Sequence, residues 1–409
     1  MRYRKRKRIY CALLLIISLF NFISCSRNEE ESHNIKIYYN KNTVKEINVV
    51  EEIIKEYKKK VGKEVTLVGV EKEEDMIKFI GEDKESNIVI LDGYSFVDFA
   101  NKDYLRDISY LYKDKKTREK FSLINNVYGR LLGSYYGIGF MPFSLDLVCN
   151  DKLLKSMGLD IKEDNLFKAI SILTSKGIKI PTYIKSEYTK ELLLSAVVAN
   201  DTIIYDMNQE YVKGKLENDI YTIKDGQKIF NVINDYYKQG ILKESNFIEG
   251  GEELIEKFNK GEIPVVLTTT LSSDKFDSSI NATLINKQPI ENKYVNAATG
   301  VDIIICATVG NHQENDVESF LRFLLQGGAM ENLNKMKVVT GNKMGDSSLI
   351  GVQGDMASSI QSIAEVNRFY FNRISNKDIL SISDEVKNVM EGKYDGKEWE
   401  RVLNKKTTQ

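Results

Sequence analysis

Histidine is almost missing from this chain. His33 and His312 are the two in 409 residues, so a histidine-rich metal centre cannot be assembled and no Ser-His or Cys-His nucleophilic pair is expected. Cysteine is scarce too: Cys11 and Cys25 fall in and at the end of an N-terminal apolar run, leaving Cys149 and Cys306, each inside an apolar run. These two read as buried thiols acting as small hydrophobes. A location outside the cell also permits a disulfide, and sequence alone cannot place the pair within bonding distance. With four prolines, no rigid proline-rich linker separates domains, and one tryptophan, Trp399, against 22 tyrosines leaves aromatic stacking to tyrosine. Gly137-x-Gly139 lacks the third glycine and the following helix of a phosphate-binding loop, which argues against a nucleotide site. No cofactor is expected, and neither internal repeats nor low-complexity segments occur.

What is present begins with charge. Six positive charges and no negative one lie between Arg2 and Arg8, and setting them aside leaves 52 basic against 59 acidic groups, a net charge of −7. Nucleic-acid binding rests on basic surface, so that class of partner is disfavoured. Hydrophobic content of 42 % and charged content of 29 % are those of an ordinary globular protein.

After the basic segment, residues 9–23 are apolar, Ser24-Cys25-Ser26 follow, and polarity returns with Arg27, Asn28 and Glu29. A basic stretch, a short apolar run and small residues at its end describe a secretion signal. The alternative is an uncleaved anchor, although the 15-residue run is shorter than the ~20 residues a helix needs to cross a bilayer. Phe22-Ile23-Ser24-Cys25 resembles the lipobox of bacterial lipoproteins, with Phe22 where leucine is usual and Ile23 where a small residue is. That resemblance implies cleavage before Cys25, acylation of its thiol, and a polar tether over residues 26–34. Ordinary cleavage after Ser26 stays open. Two or more acyl chains, at about 0.8 kcal/mol per buried CH₂, hold a protein on a membrane where one would not. Removing residues 1–24 leaves 385 of the 409, room for two or three domains at roughly 150 residues each.

From residue 35 the pattern alternates. Residues 35–39 form a β-rich run, and Thr43-x-x-Glu46 fits a capping box. Ile47, Val50, Ile54, Tyr57 and Val61 then repeat at helical spacing up to Gly62. Residues 64–70 read as a second strand, 76–80 as a short helix, and 87–92 as a strand buried on both faces and ending in Asp92. Strand–helix–strand–helix–strand predicts parallel crossovers and an α/β fold. Further strands are expected at 138–141, 145–149, 263–268 and 301–307, with helices before Gly177, Gly240, Gly261 and Gly327, and a helical tail from about residue 350.

Several of these segments, in order, resemble the family 1 extracellular solute-binding proteins, the group that includes maltose-binding protein. They are residues 35–40 with the helix running to Gly62-Lys63-Glu64-Val65; residues 88–92 with Tyr94, Phe96 and Asp98; and Tyr104-Leu105-Arg106-Asp107-Ile108. Tyr135-Tyr136-Gly137-Ile138, then Leu147 to Leu154 and Gly158-Leu159-Asp160, form the most specific piece, although Cys149 stands where tyrosine is usual and Gly139 where proline is. Residues 258–265 and the helix 314–325 complete the series, which spans about residues 35–345.

The resemblance implies a two-lobed periplasmic-binding-protein-like fold of type II with a ligand cleft between the lobes. One lobe would comprise residues 35–144 plus 302–345, the other 145–301 plus 346–405, with 145–149 and 301–307 as hinge crossings. It also implies a monomeric, non-enzymatic lipoprotein on the outer face of the cell membrane that hands a small solute, a carbohydrate first, to an ABC permease. Ligands of open α/β sheets sit beyond the carboxyl ends of strands, which marks Tyr39, Asn40, Asp92, Tyr94, Tyr135, Tyr136, Thr268, Thr269, Thr270, Asn296 and Thr299 as candidate ligand residues. Aromatic faces suit the C–H face of a sugar and Asp, Asn or Thr its hydroxyl rim. Each has a structural alternative: the tyrosines as core or turn, Asp92 as a helix cap, the threonines as strand filler. Two other functions remain open, a secreted hydrolase using paired carboxylates and a same-fold lipoprotein that reports ligand to a membrane sensor.

Overall fold

The computed structural model describes residues 35–82, 87–131, 133–161, 165–185, 188–202, 225–290, 293–296, 298–310, 314–363 and 376–404; His33, His312, Cys25 and the basic and apolar N-terminal segment in which a secretion signal is expected lie outside them. The expected opening is present: β1 (Ile35–Asn40), the helix Ile47–Val61, β2 (Val65–Val70), the helix Glu73–Glu82 and β3 (Ile88–Leu91). Both β2 and β3 pair with β1 in parallel. The first helix ends at Gly62, whose φ of +78° lets its N–H return to the Lys58 carbonyl.

Two local expectations shift. The capping box does not form: Thr43 lies in a turn, the helix starts at Ile47, and Glu46 makes no side-chain cap. The buried stripe runs through Val49, Val50, Ile53 and Tyr57, while Val61 is exposed. The stripe is set by what it meets, since Tyr57 lies edge-on to Phe320 and Phe323 of the helix Glu314–Leu325, at ring distances of 5.0 and 5.3 Å.

Beyond a small hairpin of β4 (Arg130–Leu131) and β5 (Ser134–Tyr135), the chain enters β6 (Gly137–Asn150), 14 residues buried throughout. This single strand replaces the two expected at 138–141 and 145–149. It carries two different sets of neighbours. Residues from Gly137 to Ser144 pair antiparallel with β13 (Thr299–Ala307), which in turn pairs with β3. From Leu145 onward β6 pairs with β9 (Val265–Thr269) and β10 (Ala282–Ile285). β9 continues to β7 (Ile180–Thr182) and β8 (Phe247–Glu249), giving the order β2-β1-β3-β13-β6-β9-β7-β8 with β10 off the path. β11 (Lys287–Ile290) and β12 (Lys293–Asn296) form a separate ribbon. The sheet therefore has two halves sharing one strand, with the change of partners at Ser144 and Leu145.

Helices follow the halves. Asn376–Met390 and Glu398–Asn404 pack with Lys190–Thr202 and Gln227–Lys238 on the β6–β9 half, and Met330–Lys335 packs with Ile47–Val61 on the β1 half. Cys149 and Cys306 are free and fully buried, so both thiols serve as small hydrophobes.

Gly341 shows how tightly the loops of the first half are fitted. Its φ is +80°, and a Cβ there would overlap the Asn125 side chain. Asn125 in turn donates to the carbonyls of Gly139 and Thr340, both at 3.0 Å. Gly341→Ala is expected to cost about 2–3 kcal/mol, from backbone strain plus loss of this bridge. Urea unfolding checks it, and a loss below about 0.5 kcal/mol would mean the loop can yield.

Candidate functional site

The carboxyl ends of β1 and β3 and the beginning of β13 lie together. The register that sets Ile304 opposite Leu91 places Asp302 just beyond the end of β3, where Asp92 follows. Asp92 is buried and accepts from the Ser95 N–H at 2.8 Å, so it caps the helix Gly93–Asn101. Its neighbour Glu73 has its pKa raised by burial, with Asp92 and Asp98 adding to the effect.

Asp302 is the least satisfied group of the cluster. Its Oδ2 is shut off from solvent and accepts no hydrogen bond. Burial, and then the negative field of Glu46 and Asp92, push its pKa up to about 7 against the partial relief of Lys185. That lysine comes from the other half of the sheet. It follows β7, where the Tyr183 N–H reaches the Leu267 carbonyl at 3.0 Å. Lys185 Nζ lies 3.0 Å from Glu46 and 3.4 Å from Asp274, the latter on its own half. The Glu46 carboxylate thus engages a lysine across the two halves instead of capping its own helix. A second cross-contact runs from Ser273 Oγ to the Lys337 carbonyl at 2.9 Å.

The candidate residues separate by placement. Tyr39 is half-buried with its hydroxyl over Gly69 of β2, and Asn40 Oδ1 accepts from the Asn42 N–H at 2.9 Å, closing a turn. Tyr135 stacks on Tyr112 with ring centres 4.0 Å apart and has the Arg130 guanidinium 5.6 Å from its ring centre. Tyr136 donates its N–H to Gly129. Thr270 is held by Asp146 (3.0 Å) and Ser144 (2.9 Å), a buried network that Asn286 completes. Thr268 donates to Ser272, and Thr269 is buried with its hydroxyl unpartnered. Thr299 is buried, and its carbonyl accepts from the Tyr128 hydroxyl at 2.7 Å. The side chains of Tyr94 and Asn296 lie outside the described residues. Of the residues singled out in the sequence, Asp92 is in the charged cluster. Glu46, Asp302 and Lys185 were missed as site residues, although a lone acid inside the apolar run of residues 301–307 was a signal for Asp302.

Among the described residues, one trio has metal-ligand spacing: Glu191, Glu244 and Glu249. Its centre is filled. The buried Lys190 ammonium lies 2.8 Å from Glu244, 2.8 Å from Glu249 and 3.2 Å from Glu191.

The buried acids give a pH prediction. Asp302 is raised to about 7, and Asp146 and Asp346 to about 6, in each case by burial. Between these values and the unfolded carboxylate pKa of about 4 the folded chain binds more protons than the unfolded one, so stability falls as pH rises through this window. The melting temperature is expected to be higher near pH 5 than near pH 8, with Asp302→Asn flattening the slope. A melting temperature that climbs from pH 5 to 8 would show that these acids are not held in their neutral forms.

No family model and no curated relative matches the chain. Solved structures do. The two-lobed α/β architecture is that of the solute-binding proteins. A family 1 extracellular solute-binding protein from Bifidobacterium longum subsp. infantis superposes with a TM-score of 0.63 at 14 % identity, covering 92 % of this chain and 99 % of that one. A structure from work on xylan utilization by the thermophilic bacterium Caldanaerobius polysaccharolyticus superposes with a TM-score of 0.58 at 15 % identity, over 91 % and 99 %. At such identities the likeness defines the fold.

Proposed function

We propose that this chain is the substrate-binding lipoprotein of an ABC importer: it captures a small solute, a carbohydrate first, between two lobes and delivers it to a membrane permease without chemically altering it. The lobes are residues 35–144 plus 302–345 and residues 145–301 plus 346–405. Acylated Cys25 and the tether of residues 26–34 hold the monomer on the outer face of the membrane. The observation that carries this reading is the change of partners along β6, with one strand serving both halves and the charged cluster at their junction. Domain closure around ligand is a recognised use of such a waist, and it requires a ligand with higher affinity for the closed form. The xylan connection of one structural neighbour supports a carbohydrate.

A thermal-shift panel of xylo-oligosaccharides, malto-oligosaccharides, amino sugars, polyamines and peptides tests the reading. A solute at about 100 times its Kd adds about 2.7 kcal/mol of stability and raises the melting temperature by several degrees. A chain whose melting temperature no member moves is not a binder of these solutes. Labelling with radioactive palmitate, lost in Cys25→Ala, tests the anchor.

A further inference from the structure

Resting on that reading, the geometry points to a resident clasp: Lys185 and the turn Thr270–Lys275 of the second lobe grip Glu46 and Lys337 of the first, and so set the share of closed molecules before any solute arrives. Two contacts make the grip, and they come from neighbouring points. The Lys185 ammonium lies 3.0 Å from Glu46 across the halves and 3.4 Å from Asp274 on its own half. Asp274 also meets Lys275 at 3.6 Å, so it does not depend on Lys185 for a counter-ion. Ser273, next to Asp274 in the chain, donates from its buried hydroxyl to the Lys337 carbonyl at 2.9 Å. The receiving points are joined as well. Glu46 precedes the helix Ile47–Val61 and Lys337 follows the helix Met330–Lys335, and these two helices pack together. Lys337 holds a φ of +60°, a left-handed value that a non-glycine residue seldom takes.

The arm that carries the clasp is fixed to the waist. Thr270 opens the turn, and its hydroxyl accepts from the Ser144 N–H at 2.9 Å and donates to Asp146 at 3.0 Å. Ser144 is where β6 changes partners, so a short buried arm links the pivot to Ser273. Exposed ion pairs contribute little, because water and salt compete with them. The side chains of this pair are 19 % exposed for Lys185 and 7 % for Glu46, and screening is weaker there. Its partners belong to different lobes, so the contact exists while the lobes are together and is lost when they part. An interaction made in one state and not in the other biases the equilibrium between them. The Lys185–Asp274 pair lies within one lobe, survives opening and contributes no bias. A solute then meets a population part of which already has the binding form, and its apparent affinity rises with that fraction.

The clasp is tested without a solute. Spin labels on Phe79→Cys and Met157→Cys in the full chain report the separation of the lobes by pulsed electron resonance, while the buried Cys149 and Cys306 stay unlabelled. The expected result is a distribution in which a short separation is populated. Glu46→Gln and Lys185→Gln should each lower the ratio of short to long separations about 5-fold, the low end of typical coupling free energies. The double variant should lower it no further than Lys185→Gln alone, because both act through one contact. Asp274→Asn removes a competitor on the same lobe and should leave the ratio unchanged or raise it. Ser273→Ala should lower it, and it gives a milder comparison if a charge variant does not fold. A ratio that Glu46→Gln, Lys185→Gln and Ser273→Ala all leave unchanged overturns the clasp, as does a chain that shows the long separation alone before any substitution. A double variant whose effect is the product of the two single effects overturns the pairing of Glu46 with Lys185. The solute-binding reading is judged apart from this, by whether a member of the panel raises the melting temperature, so the clasp can fail while that reading stands.

Discussion

Replacing Lys190 with methionine is expected to lower the unfolding free energy by about 3 kcal/mol, because breaking a buried charge assembly strands the groups left behind. The Lys190 side chain is 1 % exposed and its ammonium lies within 3.2 Å of Glu191, Glu244 and Glu249. Burial alone would lower its pKa, but the three carboxylates outweigh burial and raise it. Glu191 is as deeply placed as the lysine, whereas Glu249 is 60 % exposed and can return to water, which keeps the loss near the lower end of the range. The lysine also sits 5.1 Å from the Phe247 ring centre, tying the helix Lys190–Thr202 to β8. Chemical denaturation measures the loss. Adding Glu191→Gln to the methionine variant should recover part of it, and a double variant no better than the single one would show that the charge is not the cause.

Truncating Phe140 to alanine should cost about 3–5 kcal/mol, the range for deleting a buried aromatic ring. Phe140 is fully buried in β6, opposite Ile303 of β13, four residues before the strand changes partners. A cavity there loosens the half of β6 held by β13 and with it the junction to the β9 half. Phe140→Leu should recover most of the loss. Differential scanning calorimetry reports both variants, and a cost below about 1 kcal/mol for the alanine would mean that the site collapses around the missing ring.

Much of this architecture can be read from local chemistry. The first half is legible because parallel strands buried on both faces are continuous apolar runs, as in residues 88–91, and because helices stop where a left-handed residue is needed, as at Gly62, Gly177, Gly240 and Gly261. Periodicity was less reliable at the edges of the stripe. Ile47, Ile54 and Val61 keep to helical spacing but lie beside or outside the buried strip that Phe320 and Phe323 define. Which residues a helix buries depends on a partner more than 250 positions away in sequence.

The site was harder for the same reason. Thr43-x-x-Glu46 satisfies a local pattern, and a long-range ion pair with Lys185 takes the glutamate instead. Asp302 looks like an ordinary interruption of a strand until its register against β3 sets it beside Asp92. Asp92 was visible because a strand-ending acid is a local feature. Lys185, in a loop after a three-residue strand, has no local feature at all. Residues that meet across two lobes leave little trace in sequence because nothing in their own neighbourhood requires them.

The central claim is that two lobes close on a solute about the waist in β6. Spin labels at Phe79 and Met157, both exposed and on opposite halves of the sheet, report the separation directly by pulsed electron resonance. Saturation with a solute that raises the melting temperature should shift and narrow the distance distribution. A distribution identical with and without that solute would contradict closure and, with it, the account of the junction as a binding cleft.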